Sequence, residues 1–422
     1  MSSDPKREAA PAAASQTLCC IAGGGPAGMM LGLLLARAGI EVTVLEKHSD
    51  FLRDFRGDTV HPSTLQVLDD IGLIDRFLAL PHSEVNRVAP PIAPGSAAII
   101  DFRELDLRYP FIAFVPQWDL LNLLADEARS HPSFRLLMEA EVKDLIVEDG
   151  NVKGLRYRSA GELHEIRALL TVGADGRMSA VRSAAGLEIE ASSPPLDVLW
   201  FRISRRPEDR VEVFGAGGGG QFGIFLNRAD YWQVAMIIPK GSGDAIRSEG
   251  IERFRERVAK MAPDYADRVV ELKSIDDVKL LSVRSDRLRR WWKPGLLLIG
   301  DAAHAMSPVA GVGINLAIQD AVATFNLLGP DLRAGRLPDD ALARVQRRRQ
   351  LPTVLTQWLQ GVMQAIVMRR LRSGGSTEVP RLALLLLRIK PLRNLGARFI
   401  ALGFRPERVS GAGTVSRSSR RD

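Results

Sequence analysis

A chain of 422 residues with 46% apolar and 25% charged side chains can bury a sizeable core, and this composition is that of an ordered globular protein of two or three domains. The net charge of +7 is uneven: from Asp331 to Asp422 there are 18 Arg and 1 Lys against 6 acids, a balance of +13 that leaves −6 for the first 330 residues. The basic character belongs to the tail, no nucleic-acid partner is expected, and no apolar run reaches the roughly 18 residues that read as a membrane span.

Residues 1–16 are rich in Ala, Pro and Ser and are expected to be disordered, with the fold starting at Thr17. They lack the apolar core of a secretory signal, so a cytoplasmic setting is expected. The stretch Thr17–Lys47 is an apolar run, a glycine turn, an apolar helix pattern and a second apolar run ending in an acid. That is a βαβ unit in outline. Cys19 and Cys20 are the only cysteines; as neighbours on a strand they point to opposite faces and read as small buried hydrophobes.

Within the turn, Gly23, Gly25 and Gly28 stand at G-x-G-x-x-G spacing. Gly23 allows the tight turn, Gly25 lets backbone approach a pyrophosphate, and Gly28 lets the helix pack against the strand. Phosphates would sit at the helix N-terminus, where unpaired N–H groups and the helix dipole favour negative charge. Glu46, 18 residues past Gly28, can accept hydrogen bonds from a ribose, and favours an adenosine ribose without a 2′-phosphate.

Beyond Glu46, His61-Pro62-Ser63 opens a helix pattern, with Arg56 in the loop before it as a candidate phosphate clamp. Residues 84–116 read as short strands and loops that leave the first domain and return, and Gln117 opens the next helix. Two strands follow, joined by an Asp149-Gly150-Asn151 turn, and then a strand from Leu169 running into a Gly-Ala-Asp-Gly turn at 173–176. From Pro194 to Val283 the pattern alternates as an antiparallel sheet, with Gly217–Gly220 as a hairpin loop. Trp200, Phe222, Phe225, Tyr231, Gln233 and Met236 lie on this sheet, where they serve either its core or a pocket. Gly295–Gly300 then reads as a buried strand, and Val312–Leu328 as a helix ended by Gly329-Pro330. Beyond Asp339 only helical patterns occur, broken at Ser373-Gly374-Gly375 and at Pro391. No metal site is expected.

Three separated motifs line up: GGGPAG at 23–28, GADG at 173–176, and GDAAH at 300–304 followed by SPVAGVGINLAIQDA. In this order the chain resembles the FAD-dependent aromatic monooxygenases of the para-hydroxybenzoate hydroxylase type. The resemblance implies an α/β fold: a Rossmann-like FAD-binding domain of the GR2 type, an inserted and mostly antiparallel β-sheet substrate domain, and a C-terminal helical segment. It places FAD binding in residues 17–83, 117–183 and 285–330, the substrate domain in 84–116 and 184–284, helices in 331–410 and a disordered basic tail in 411–422.

By the same resemblance Gly23, Gly25, Ala27, Gly28, Glu46 and Lys47 hold the ADP half of FAD, while Arg56 and Gln117 match phosphate-contacting positions. Asp175 and Arg177 belong to a motif associated with FAD and the nicotinamide cofactor, and Gly300 and Asp301 meet the ribityl chain. The segment Pro308–Asn315 would run along the flavin ring, with Pro308, Gly311 and Gly313 positioning it and the helix dipole directing about half a positive charge at its pyrimidine edge. His304 reads more simply as structural. The implied activity is hydroxylation of an aromatic or other hydrophobic small molecule with NAD(P)H and O2. A reductase or dehydrogenase on the same fold and a non-catalytic flavoprotein are the rival readings. Halogenation is not expected, because YWQVAMIIP has one tryptophan where flavin halogenases carry W-x-W-x-I-P, and the thioredoxin-like C-terminal domain of larger phenol hydroxylases is not expected either. For the basic C-terminal segment, a packed helical layer competes with a peripheral contact at an anionic membrane face and with a homodimer interface.

Overall fold

The strand Ser15–Ala22 lies at the centre of the larger sheet, and its second half, from Cys19, is buried on both faces. In this computed structural model, which describes residues 15–52, 59–88, 100–192, 194–209, 213–228, 230–372 and 389–411, that strand starts two residues before the expected Thr17. Ser15 and Gln16 pair with Ile166 and Arg167. The strand lies parallel to Val42–Leu45 on one side and to Glu162–Gly173 on the other, with Phe134–Leu137 and Leu296–Leu298 continuing the parallel order outward. Cys19 and Cys20 are wholly buried here and unbridged, and burial pushes the Cys20 thiol up to about 12, so both act as core hydrophobes.

Glu162–Gly173 is longer than the run from Leu169 suggests, because its first half belongs to a different partner. Residues 162–167 pair antiparallel with the strand Asn151–Ser159, and only Thr171–Gly173 pair with Leu296–Leu298. The Asp149-Gly150 turn, with φ of 49° and 76°, joins Asn151–Ser159 to Glu141–Glu148 as the sequence predicts.

A second sheet of five antiparallel strands runs in the order Phe214–Gly218, Gln221–Asn227, Tyr231–Pro239, Leu196–Ser204, Lys279–Leu281. One face packs Phe201, Phe225, Trp232 and Met236 against Phe254 and Met261 of the helix Ile251–Met261. The other face brings Val198, Phe222, Ile237 and the half-buried Trp200 against Met368. The aromatic residues of this sheet therefore divide between two cores.

The helix Gly313–Arg333 does not end at Gly329-Pro330 but runs through both. Leu328, Gly329 and Leu332 lie on its buried face, and Pro330 sits one turn from the end, where its missing N–H removes a single intrahelical bond. The next helix, Ala341–Arg372, likewise continues through Pro352. The expected break at Ser373–Gly375 lies outside the described residues. The last helix, Lys390–Leu402, has Pro391 in its first turn and buries Ala397, Ala401 and Leu402 against Phe102, Ile112 and Phe114. No described helix is long and apolar enough to cross a membrane.

Candidate functional site

Four neighbouring parallel strands end at one edge, and each carries a sequence-predicted site residue at its carboxyl end: Gly23 after Ser15–Ala22, Glu46 after Val42–Leu45, Asp175 after Glu162–Gly173, and Gly300-Asp301 after Leu296–Leu298. In open α/β sheets this is the edge at which ligands bind.

The three glycines of the first turn differ in what limits them. At Gly23, φ is +104° and a Cβ would come within 2.4 Å of the Ala174 carbonyl oxygen; at Gly28 it would lie 2.0 Å from the Gly23 carbonyl oxygen. Both positions are closed by packing. At Gly25 a Cβ meets nothing nearer than the Ala174 oxygen at 4.0 Å, so open space lies in front of the helix Pro26–Arg37, whose N-terminus has no capping side chain. Unpaired N–H groups facing open space make an anion site. Glu46 is buried beside them; its Oε2 accepts from the Gly24 N–H at 2.9 Å and its Oε1 from the His48 N–H at 3.1 Å. Ala27 packs beneath Gly300, where a Cβ would lie 3.2 Å from the Ala27 Cβ, whereas Lys47 is exposed.

The second and third motifs meet. Arg177 donates to Asp301 Oδ2 at 3.3 Å, and the buried Arg182 donates to the Arg177 carbonyl at 2.6 Å and the Ala302 carbonyl at 3.2 Å. Asp175 Oδ2 accepts from the Val181 N–H at 3.2 Å and so helps to start the short helix Ala180–Ala184, while its Oδ1 is buried without a hydrogen-bond partner. Burial pushes this carboxyl above the ordinary carboxylate range.

Pro308–Asn315 is held from both sides. Ala310 and Gly311 have φ of 65° and 61°, and a Cβ at Gly311 would lie 2.4 Å from Thr59 Oγ1, which donates to the Gly311 carbonyl at 2.6 Å. Asn315 turns its whole amide to the protein: Oδ1 accepts from the His61 N–H and the Thr64 hydroxyl, and Nδ2 donates to the Thr59 carbonyl. Across the segment, Gln360 donates to the carbonyls of Ser307 and Val309. The helix Gly313–Arg333 has Val312 at its cap without a capping bond, and a Cβ at Gly313 would meet no atom within 4 Å.

Beneath the GDAAH turn lies a buried charge network. Asp320 accepts from the Gly300 N–H and from His304 Nε2 through Oδ2, and from Arg349 Nε at 3.0 Å through Oδ1; Arg349 also reaches Glu407, which pairs with Arg348. Asp320 is 0% and Arg349 1% exposed. Burial opposes the Asp320 charge, but His304 and Arg349 more than offset it and hold the carboxyl below its ordinary range. His304 is thus structural, as its place beside a turn suggested. Arg349, Gln360 and Thr59 escaped sequence reading, and His61 was legible only as a helix start, because their partners lie far away in the chain. Gln117 is half-buried at the first residue of the helix Gln117–Arg129, and Arg56 lies outside the described residues.

His61 gives the site a pH dependence. Its Nδ1–H donates to the Ile400 carbonyl at 2.8 Å, yet burial lowers the ring's pKa from 6.5 to about 4. Between these values the unfolded chain holds a proton that the folded chain does not, so stability falls as pH drops through this window, by about 3 kcal/mol in total. His61→Asn is expected to lack that decline. Urea titrations at pH 7 and pH 4 test this, and equal losses in both proteins would contradict it.

The chain matches the FAD binding domain family over residues 16–357. It is 34% identical over 401 residues to the 6-methylpretetramide 4-monooxygenase of Streptomyces rimosus, covering 94% of this chain and 95% of that one. It is 23% identical to the pentachlorophenol 4-monooxygenase of Sphingobium chlorophenolicum over 75% of this chain and 58% of that longer enzyme. The p-nitrophenol 4-monooxygenase of Pseudomonas putida has a similar fold, with a TM-score of 0.72 and 19% identity over 93% of this chain and 100% of the other.

Proposed function

Because the chain belongs to the FAD binding domain family, and the two sequence relatives above are monooxygenases, we propose that it hydroxylates an aromatic small molecule with O2 and NAD(P)H, holding FAD across the motifs at the edge of the parallel sheet. The observation that supports this assignment best is the arrival of the three motifs and of Glu46 at the carboxyl ends of four adjacent strands. The residues present fit the cofactor: open space at Gly25 before an uncapped helix, a buried acid at Glu46, and a second uncapped helix at Gly313.

In this reading, the N–H groups behind Gly25 bind the pyrophosphate, with Gln117 and Arg56 as further contacts. Glu46, already oriented by the Gly24 and His48 amides, receives the adenosine ribose, with Lys47 at the rim. Asp301, steadied by Arg177, receives the ribityl hydroxyls. Pro308, Gly311 and Gly313 shape the bed of the ring, and Asn315 acts one step back by fixing Thr59 and His61 against that segment. Asp175 sets the turn that lies over Gly23. FAD, when bound, supplies electron transfer from NAD(P)H and the activation of O2; the chain's own residues bind, orient and exclude water.

Asp301→Ala is expected to weaken FAD binding by about 1.5 kcal/mol, the loss of one charge-assisted hydrogen bond, since the carboxylate is only partly enclosed. Unchanged affinity in a fluorescence titration would make Asp301 a turn residue only.

The substrate is taken to be aromatic by analogy with the relatives. A panel of phenols, tested for stimulated NAD(P)H oxidation together with formation of a hydroxylated product, separates this reading from its rivals. NAD(P)H oxidation without hydroxylation would favour a reductase, and no stimulation by any compound would favour a binding role. For the basic C-terminal helix, the packing reading has the better support: Arg393 donates to Glu104 at 2.7 Å and Lys390 lies 3.8 Å from the same carboxylate. Arg398 is exposed, and Arg381 and Arg388 lie outside the described residues. Vesicle sedimentation with and without anionic lipid tests the membrane alternative, and the sedimentation coefficient tests a homodimer.

A further inference from the structure

The helix Ala341–Arg372 is polar on its buried side and apolar on its exposed side. At about 100° per residue, Arg349, Thr353, Thr356, Gln360 and Gln364 share one arc of roughly 80°, and each is 5% exposed or less. The opposite arc holds Leu351, Leu355, Trp358, Val362 and Ile366. Leu351 is 56% and Trp358 65% exposed, Val362 and Ile366 are exposed with them, and Leu355 is half-buried. A surface helix ordinarily has the reverse pattern.

The helix cannot turn this apolar arc inward. Arg349 donates to Asp320 at 3.0 Å, and Gln360 donates to the Ser307 and Val309 carbonyls at 2.9 and 2.8 Å. A rotation that buried Trp358 would break all three bonds and strip the buried Asp320 of its guanidinium. The contacts that support the site therefore also hold the apolar arc outward.

An exposed apolar stripe of this kind marks contact with a partner protein or a membrane, and here charge decides between them. Ala341–Arg372 carries seven arginines and no acid: four lie at 344–349, three at 369–372, and residues 350–368 between them are uncharged. Arg347 is 67% exposed with Asp340 at 3.9 Å, while Arg369 is exposed and makes no ion pair with a described residue. A second copy laid on this face would set arginines against arginines, with no acid of the helix to answer them. The stripe is about 22 Å long and one helix, about 10 Å, wide, well under the roughly 800 Å² per partner of a standard interface. An anionic lipid surface suits both features, because its headgroups pair with the arginines and its acyl boundary takes up the apolar side chains.

We propose that the outer face of Ala341–Arg372 docks the protein on an anionic bilayer. Leu351, Trp358, Val362 and Ile366 enter the acyl boundary, and Arg347 and Arg369 meet the headgroups. The helix lies in the plane of the surface, since its inner arc is polar and tied to the protein. This is not the helix Lys390–Leu402, whose Lys390 and Arg393 meet Glu104, and the proposal does not rest on the hydroxylase reading.

The test is co-sedimentation of the FAD-loaded protein with vesicles of phosphatidylcholine alone or mixed with phosphatidylglycerol. Binding is expected to the mixed vesicles and to be at least about tenfold weaker to phosphatidylcholine. Trp358→Glu should weaken binding to the mixed vesicles by about tenfold or more, and Arg369→Gln by about fivefold. Both variants should keep the FAD content and unfolding midpoint of the wild type, because both side chains are exposed. Absence of wild-type binding, equal binding to the two vesicles, or full binding by Trp358→Glu would each overturn the docking face. A lowered midpoint in Trp358→Glu would also overturn it, by showing that the chain itself covers this stripe. So would a dimer, seen by sedimentation velocity without lipid, that Trp358→Glu dissociates.

Discussion

Gly25→Val is expected to yield a folded protein that purifies without FAD. The backbone at Gly25, with φ −76° and ψ −177°, suits any residue, and a Cβ there meets no atom nearer than 4.0 Å. The fold should therefore tolerate the change. The side chain would instead fill the space before the N-terminus of the helix Pro26–Arg37, where the pyrophosphate must approach backbone, and affinity should fall at least about a hundredfold. Gly28→Ala is the contrasting control: its Cβ would lie 2.0 Å from the Gly23 carbonyl oxygen, so it should damage the turn and the fold together. Far-UV circular dichroism and bound-flavin absorbance distinguish the two. A folded Gly25→Val protein with its full complement of FAD would refute the assignment of this turn.

The largest loss of stability is expected from Arg349→Met. This change leaves the fully buried Asp320 without the guanidinium that lies 3.0 Å from it, and leaves Glu407 with one partner fewer. Breaking a buried pair from one side costs about 3–5 kcal/mol, because the surviving charge loses a cation and keeps only His304 and the Gly300 N–H. Since Asp320 also accepts from the Gly300 N–H, the damage should reach the turn that carries Asp301. Adding Asp320→Asn should recover part of the loss, as the under-compensated charge is then gone. Denaturant titration of both variants measures this. A loss below about 1 kcal/mol for Arg349→Met would mean that the network is hydrated and contributes little.

What could be read from the sequence is what depends on neighbouring residues. Gly23, Gly25, Gly28 and Glu46 declared themselves because the turn, the helix start and the strand-end acid are a single local unit with fixed spacing. The Asp149-Gly150 turn was legible for the same reason. Pro330 misled, since a proline after glycine usually ends a helix, and here the buried Leu328 and Leu332 carry the helix past it. Arg349 was hidden more deeply. In a run of three arginines it looks like solvated charge, and only tertiary packing puts it at 1% exposure against a partner 29 positions earlier. Gln360 and Thr59 were hidden too, because each acts on backbone carbonyls of the 307–311 segment that no local pattern connects to them.

Oxygen labelling tests the monooxygenase assignment most directly. The FAD-loaded protein is supplied with NAD(P)H, a phenol that stimulates NAD(P)H oxidation, and ¹⁸O2 in ordinary water, and the product is weighed by mass spectrometry. The expected result is a hydroxylated product carrying one ¹⁸O atom, formed in step with the NAD(P)H consumed. An unlabelled product, or NAD(P)H oxidation that leaves the phenol unchanged, would contradict it.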